Sequence, residues 1–97
     1  MPLLDEKTLI GLPVYTERGT HLGKTAGFDV DADSHLIRRY RVKPRGLAAR
    51  MIRTPLLVAR EQVLSVDAEK MVVEESVGKE MALAQARAIG LVGNAKA

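Results

Sequence analysis

The feature that most constrains the fold of this chain is a series of short apolar runs separated by turn residues. In residues 24–31, Lys24, Ala26, Phe28 and Val30 alternate with threonine, glycine and aspartate, a period of two that is typical of a half-buried β-strand. This alternation predicts that Ala26, Phe28 and Val30 face the core. Similar runs at residues 12–17, 36–43, 56–58, 63–66 and 71–75 bring the total to five or six short strands. We therefore expect an all-β fold, and a small barrel in particular, because closure leaves no unpaired strand edge.

The third predicted strand, residues 36–43, has two faces of different chemistry. One face carries Leu36, Tyr40 and Val42, and the other carries Ile37, Arg39, Arg41 and Lys43. Residues 44–55 contain two prolines and a glycine, which predicts a loop. We expect a single helical turn at residues 59–62, followed by a closing hairpin over residues 63–75.

The length and composition of the chain limit what it can build. A chain of 97 residues has room for one small domain with one core. Aromatic residues make up only 3% of it, so we expect an aliphatic core. The absence of cysteine excludes disulfides, thiolate metal sites and a cysteine nucleophile. No apolar run approaches the roughly 20 residues of a membrane span, and no signal-peptide segment is evident, so we expect a soluble, cytoplasmic protein.

The C-terminal part of the chain has a different pattern. Residues 78–92 contain four alanines among strong helix formers and no proline, which predicts a helix. Its main apolar stripe consists of Met81, Ala84, Ala88 and Leu91. A helix this apolar is expected to dock on the barrel, on a second copy of the chain or on a partner. The predicted organisation is thus a barrel over residues 1–77, a docking helix over 78–92 and a frayed tail over 93–97.

The charge of the chain is unevenly distributed. Residues 36–60 hold eight basic residues and no acid, although the net charge of the whole chain is only +3. The predicted binding patch consists of Arg39, Arg41, Lys43, Arg45, Arg50 and Arg53. Such a patch could contact RNA phosphates, an acidic partner or the acidic remainder of a second protomer. No aromatic residues interleave with these bases as base stacking would require, so a protein contact is favoured over RNA.

Two motifs suggest ligand sites, and both depart from the required pattern. The stretch from Arg18 to Gly27 resembles a phosphate-binding loop, but only three residues separate Gly19 from Gly23 where four are needed, and a strand follows instead of a helix. The acidic run at residues 29–33 begins like a calcium loop, but Ser34 and Tyr40 replace the required glycine and glutamate. We expect neither a bound nucleotide nor a metal, and no cofactor.

A catalytic triad is also suggested by residue types alone. Asp33, Ser34 and His35 are the three types found in hydrolases. Neighbours in one turn cannot easily place the histidine between the nucleophile and the carboxylate, and no Gly-x-Ser-x-Gly elbow is present. We therefore predict no catalytic residues and no enzymatic activity.

The chain resembles the PRC-barrel family over about residues 8–75. The resemblance is carried by Gly11, Val14, Tyr15, Gly19, Leu22 and Gly23, in the order and spacing of the family, followed by the aliphatic strands and acidic turns of residues 28–75. It implies a small β-barrel without a shared catalytic site, in which Gly11, Gly19 and Gly23 are structural turn glycines. Ala59 departs from the proline that many relatives carry at this point.

Known members of this family imply a docking role. They include the C-terminal domain of a ribosome maturation factor and the cytoplasmic domain of the photosynthetic reaction-centre H subunit. The resemblance therefore predicts a non-enzymatic binding or assembly module that recognises a protein partner, and the apolar helix predicts a homodimer. The alternative is an RNA-associated or ribosome maturation factor that uses the basic patch.

Overall fold

The computed structural model describes residues 3–88, apart from the side chains of residues 47 and 48. Six strands and four short or medium helices follow one another along the described chain. In order they are α1 (Glu6–Leu9), β1 (Pro13–Thr16), β2 (His21–Val30), β3 (Ile37–Pro44), α2 (Gly46–Met51), β4 (Leu56–Ala59), a 3₁₀ helix (Arg60–Gln62), β5 (Val63–Val66), β6 (Met71–Val73) and α3 (Glu75–Ala88). The predicted strands are therefore all present, with small differences at their ends.

The six strands form one mixed sheet in the order β4-β3-β2-β1-β6-β5. All neighbours are antiparallel except β1 and β6, which run parallel with Val14 opposite Met71. Among the described residues no hydrogen-bonded pairing joins the edge strands β4 and β5, so the expected closure of the barrel is not present as a hydrogen-bonded ladder. Only the three residues of the 3₁₀ helix connect these edges, which limits the distance from Ala59 to Val63 to about 15 Å and requires the sheet to curl.

One face of the curled sheet holds the core. Val14, Val42, Val58, Met71 and Val73 have no exposed surface. The strand register explains this, because residues opposite each other in neighbouring strands share a face, as Val14 does with Met71. Tyr40 completes the core on β3, and the Phe28 ring contacts it edge-on with 6.4 Å between ring centroids. The core is therefore aliphatic with one aromatic corner.

The predicted facing of β2 is wrong at two positions. Ala26 and Val30 are exposed, whereas Thr25 is only 1% exposed. The pairing of β2 with β3 shifts register once between Thr25 and Gly27 and again between Asp29 and Val30. The first shift leaves Ala26 as an extra residue of β2, between Thr25 on the core face and Gly27 opposite Arg41. The second shift leaves Arg38 as an extra residue of β3, beside the end of β2 at which Val30 lies.

The same irregularity affects the start of β3. Leu36 was expected in the core but is 48% exposed, while Ile37, expected outside, packs against the core. Tyr40 and Val42 are buried as predicted. The alternation is therefore reliable in the middle of the hairpin and fails at its bulged end.

Two helices lie where the sequence predicted none. The α1 helix begins after Asp5, whose carboxylate accepts a hydrogen bond from the Thr8 amide at 2.9 Å. This bond lowers the pKa of Asp5, and the helix places Leu9 in the core. The α2 helix, Gly46–Met51, occupies the predicted loop.

The third helix begins earlier than predicted. It starts at Glu75 instead of residue 78, which places Val77, fully buried, in its first turn. A side chain at Gly78 would lie 3.1 Å from Thr16 Cγ2, so this turn packs closely on β1. The predicted end of the helix, with Leu91, and the predicted tail at 93–97 lie outside the described residues.

The signature glycines have different physical roles. Gly11 and Gly19 adopt φ angles of +90° and +92°, which side-chain-bearing residues rarely adopt. Gly23 was expected in a turn but lies within β2. A Cβ atom there would overlap the Lys43 carbonyl group, with the carbonyl carbon at 2.9 Å, and would lie 3.0 Å from Pro44 Cα. Gly23 is therefore required because β3 passes too close for any side chain.

We predict that Gly23→Ala destabilises the protein by about 2–3 kcal/mol, because the added methyl group forces β2 and β3 apart. Urea unfolding followed by circular dichroism measures this. Gly19→Asn is the matched control, since nothing lies within 4 Å of a Cβ at that position and asparagine tolerates a positive φ. A Gly23→Ala variant as stable as the wild type would contradict the close approach.

Candidate functional site

The predicted basic patch begins on the outer face of β3. Arg39, Arg41 and Lys43 alternate with the buried Tyr40 and Val42, so their side chains leave the sheet on the side away from the core. The three bases therefore share a face as predicted. Their surroundings on the neighbouring strand β2 differ.

Asp29 is the neighbour of the two arginines. It lies opposite Arg39 in the β2–β3 register, and its Oδ2 atom accepts a hydrogen bond from Arg39 Nε at 2.7 Å. Its Oδ1 atom accepts a second hydrogen bond from the Arg41 guanidinium. These bonds hold the pKa of Asp29 below its ordinary value of 3.8, and the bond from Arg39 has the larger effect. One carboxylate thus orients two of the predicted binding residues.

Gly27 allows Arg41 to reach this carboxylate. It lies opposite Arg41, and a Cβ at Gly27 would overlap the guanidinium and lie 2.9 Å from Arg41 Cζ. The arginine side chain therefore lies flat across the glycine toward Asp29. Sequence reasoning did not find this ion-pair cluster, although the acidic turn after residue 29 implied a hairpin that would bring residues 29 and 39 together.

The remaining bases of the patch lie further along the chain. Lys43 and Arg45 line a cleft with Lys24 and His21, and Lys43 also lines a second cleft with Arg53, beside α2. Arg50 is exposed on α2. The predicted patch is thus divided into a paired part, Arg39 and Arg41, and a part around Lys43.

The acidic run predicted to be a turn has specific partners. Asp31 Oδ1 accepts hydrogen bonds from the amides of Asp33 and Ser34, at 2.9 and 3.1 Å, and these bonds lower the pKa of Asp31. Its other oxygen lies 3.7 Å from Arg38 Nε. Because Asp29 is held by arginines, two of the three aspartates already have partners. In residues 3–88 no group of three histidine, cysteine or acidic side chains is placed to hold a metal ion.

The other two motifs lie in equally ordinary surroundings. The Ser34 hydroxyl accepts a hydrogen bond from the Leu36 amide at 3.3 Å, and His35 has a φ angle of +65° at the exposed end of the β2–β3 hairpin. In the stretch that resembles a phosphate loop, Gly23 and Gly27 lie within β2, and no helix follows them directly. The features of these residues are those of a tight turn and a strand.

The predicted docking helix, α3, is only partly docked on its own sheet. Val77 is buried and Met81 packs against the core, whereas Ala88 and Leu83 are exposed, Leu83 by 41%. Ala84 is half-buried and lines a cleft shared with residues 51–54. Val77 and Met81 therefore anchor the first half of the described helix on the sheet, whereas Leu83 and Ala88 in the second half are exposed to solvent. Leu91, the last residue of the predicted stripe, is outside the described residues.

Polar contacts fix the start of α3. Glu75 Oε2 accepts a hydrogen bond from the Arg18 amide at 2.8 Å, which lowers the pKa of Glu75. The Gln62 amide nitrogen lies 3.5 Å from both Ser76 Oγ and Glu80 Oε1. The 3₁₀ helix between the sheet edges is thus tied to α3, which determines the direction in which the helix leaves the sheet.

A comparison with known families agrees with this architecture. A family model described as the PRC-barrel domain matches residues 5–82, which includes all six strands and the start of α3. The chain belongs to the PRC-barrel family. Domains of this family are generally small, non-catalytic modules that mediate protein interactions. No curated protein matches the chain significantly.

No helix within residues 3–88 of this PRC-barrel chain is long and apolar enough to cross a membrane. Two exposed leucines lie at the edges of the sheet. Leu57 on β4 is 47% exposed, and Leu64 on β5 is 49% exposed. The outer surface therefore offers three kinds of contact, namely the bases of β3, the edge leucines and the far half of α3.

We predict that Asp29→Asn lowers the stability of the PRC-barrel domain at neutral pH, because Arg39 and Arg41 lose their charged partner. The pKa of Asp29 is lowered in the folded state, so its contribution is complete above the unfolded-state pKa and is lost as the pH falls through the folded-state pKa. The difference in unfolding free energy between wild type and variant should therefore shrink as the pH falls below 3.8 and disappear below the folded-state pKa.

Urea unfolding over a pH series measures this difference. Asp33→Asn is the control, since Asp33 lies in the same hairpin and forms none of the ion pairs found in the described residues. A wild-type advantage that persists unchanged at the lowest pH would contradict a role for the ionised carboxylate.

Proposed function

We propose that this chain is a non-enzymatic binding and assembly module that self-associates as a homodimer through α3 and docks on a protein partner. The observation that carries the proposal is the division of α3. Val77 and Met81 fix its first half on the sheet, while Leu83 and Ala88 face solvent in its second half. An exposed apolar surface on an anchored helix is well suited to bind a second helix.

The side chains on α3 favour a symmetric contact. Ala84 and Ala88 are small, and small residues at a contact allow two helices to approach closely. Two copies related by a twofold axis would bury the same residues on each side, so one surface of α3 suffices. The cleft of about 380 Å³ between residues 51–54 and Ala84 offers space for a leucine from the second copy.

Charge supports association between copies as well. The basic segment, residues 36–60, and the acidic remainder of the chain have opposite signs. Complementary surfaces of this kind raise the rate of encounter and fix orientation more than they add affinity. The cytoplasmic location predicted from the sequence stays a prediction.

The alternative, an RNA-associated or ribosome maturation role, has less support. Arg39 and Arg41 bind Asp29, so the stripe of bases on β3 is partly neutralised. The aromatic rings of Phe28 and Tyr40 belong to the core and are not available for base stacking. Surfaces that bind single-stranded RNA combine free cations with exposed aromatic rings.

We predict that Leu83→Glu converts the homodimer to a monomer without unfolding it, because Leu83 is exposed in the single chain and glutamate is a good helix former. Size-exclusion chromatography with light scattering, with circular dichroism as a folding check, measures the outcome.

Leu64→Glu is the matched control, since Leu64 is exposed to a similar extent but lies on β5 at the sheet edge. The control should remain a dimer. A monomeric wild type over the micromolar range, or dissociation by Leu64→Glu alone, would overturn α3 as the interface.

A further inference from the structure

Two lysines face each other on the outer side of the sheet. Lys24 on β2 lies directly opposite Lys43 on β3, and both side chains are exposed. Directly opposite residues in an antiparallel pair have their Cβ atoms about 5 Å apart, and like charges in that position destabilise the pair. A Cβ atom at Gly23 would overlap the Lys43 carbonyl group, so the two strands approach closely beside this pair. The fold therefore fixes the backbone positions of two residues of like charge.

A third cation and an imidazole complete a cleft around this pair. Lys24, Lys43 and Arg45 line a cleft of about 280 Å³ together with His21 and Pro44. The Arg45 amide donates a hydrogen bond to the Leu22 carbonyl at 3.1 Å, which fixes the backbone beside β2. The His21 ring lines one side of the cleft. It stacks on Tyr15, and its Nε2 atom donates a hydrogen bond to the Gly23 carbonyl at 3.2 Å.

The cleft has no compensating carboxylate among the described residues. The ion pairs of residues 3–88 join Arg38 to Asp31, and Arg39 and Arg41 to Asp29. Two arginines of β3 therefore have a carboxylate on β2, whereas Lys43, on the same face of the same strand, has a lysine. This local excess of positive charge lies in a concave surface.

We propose that this lysine-pair cleft binds a phosphate group, either free or as a monoester. Three cations with many N–H donors match an oxyanion that carries more than one charge better than they match a single carboxylate. The small volume suits one phosphate and not a nucleic acid strand. The proposal goes beyond the proposed function, because no α3 residue lines this cleft.

The experiment compares melting temperatures of the full chain in sodium phosphate and in sodium chloride at equal ionic strength. The wild type is expected to melt higher in phosphate, because a ligand that binds only the folded state stabilises it. In low-salt chloride, Lys24→Gln/Lys43→Gln is expected to melt higher than wild type, since the repulsion is removed. The same double variant should lose about tenfold or more of its phosphate affinity in isothermal titration.

Lys7→Gln/Lys70→Gln is the matched control, since it removes the same charge from exposed sites on α1 and in the turn between β5 and β6. It should keep the phosphate response. Phosphate also stabilises proteins through exclusion from their surfaces, and that effect would persist in every variant. Equal phosphate responses in wild type, Lys24→Gln/Lys43→Gln and the control would therefore overturn the proposal.

A mapping experiment on the wild type does not depend on any variant. Phosphate titration followed by amide chemical shifts should perturb residues 21–24, Lys43 and Arg45 and leave α3 unchanged. A short single-stranded RNA provides the second arm. In the contrary result, the RNA binds with a salt dependence that corresponds to several phosphate contacts, while inorganic phosphate changes no amide chemical shift. That result would overturn the single-phosphate site in favour of an extended nucleic acid surface.

Discussion

The burial of small aliphatic side chains on one face of the curled sheet is the interaction on which the rest of this structure depends. Val14, Val42, Val58, Met71 and Val73 are fully enclosed, although the chain has few aromatic residues to fill a core. Side chains of this size leave no gap only if the strands bend around them and α3 covers one end. The inner face is thereby occupied by the core, and the outer face, the sheet edges and the exposed part of α3 are accessible to solvent.

Strand register connects this core to the chemistry of the outer face. The pairing that brings Tyr40 and Val42 into the core also places Arg39 opposite Asp29 and Lys43 opposite Lys24. The same register therefore determines which residues are neighbours on the outer face. One part of β3 becomes a neutralised ion-pair cluster, and another part retains uncompensated positive charge.

The sequence predicts the regular parts of this molecule well, for physical reasons. Alternation and turn residues locate the strands because side chains in a strand alternate between two faces. The bulges at Ala26 on β2 and Arg38 on β3 depend on the pairing of the two strands, which local periodicity does not contain. The α2 helix was missed because its flanking prolines and glycine predict a loop, and α3 starts early because Val77 is buried by tertiary packing.

The candidate site was predictable only in part. The bases of β3 were correctly assigned to one face, because alternation is sufficient for that. The Asp29 contacts and the Lys24–Lys43 pair require the register between two strands, and the partial exposure of α3 requires the position of the sheet below it. Gly23 shows the same limit, since its signature spacing is visible in the sequence whereas its reason, the approach of Lys43, is not.

Native-state hydrogen exchange distinguishes a one-sided core in a sheet with open edges from a closed barrel. We expect the amides of β1, β2 and β3 that are bonded within the sheet to exchange only through global unfolding. We expect amides of β4 and β5 that point away from their single neighbouring strand to exchange rapidly. Uniform protection along both edge strands, equal to that of β2, would contradict the open edges, because such protection requires hydrogen bonds that close the barrel.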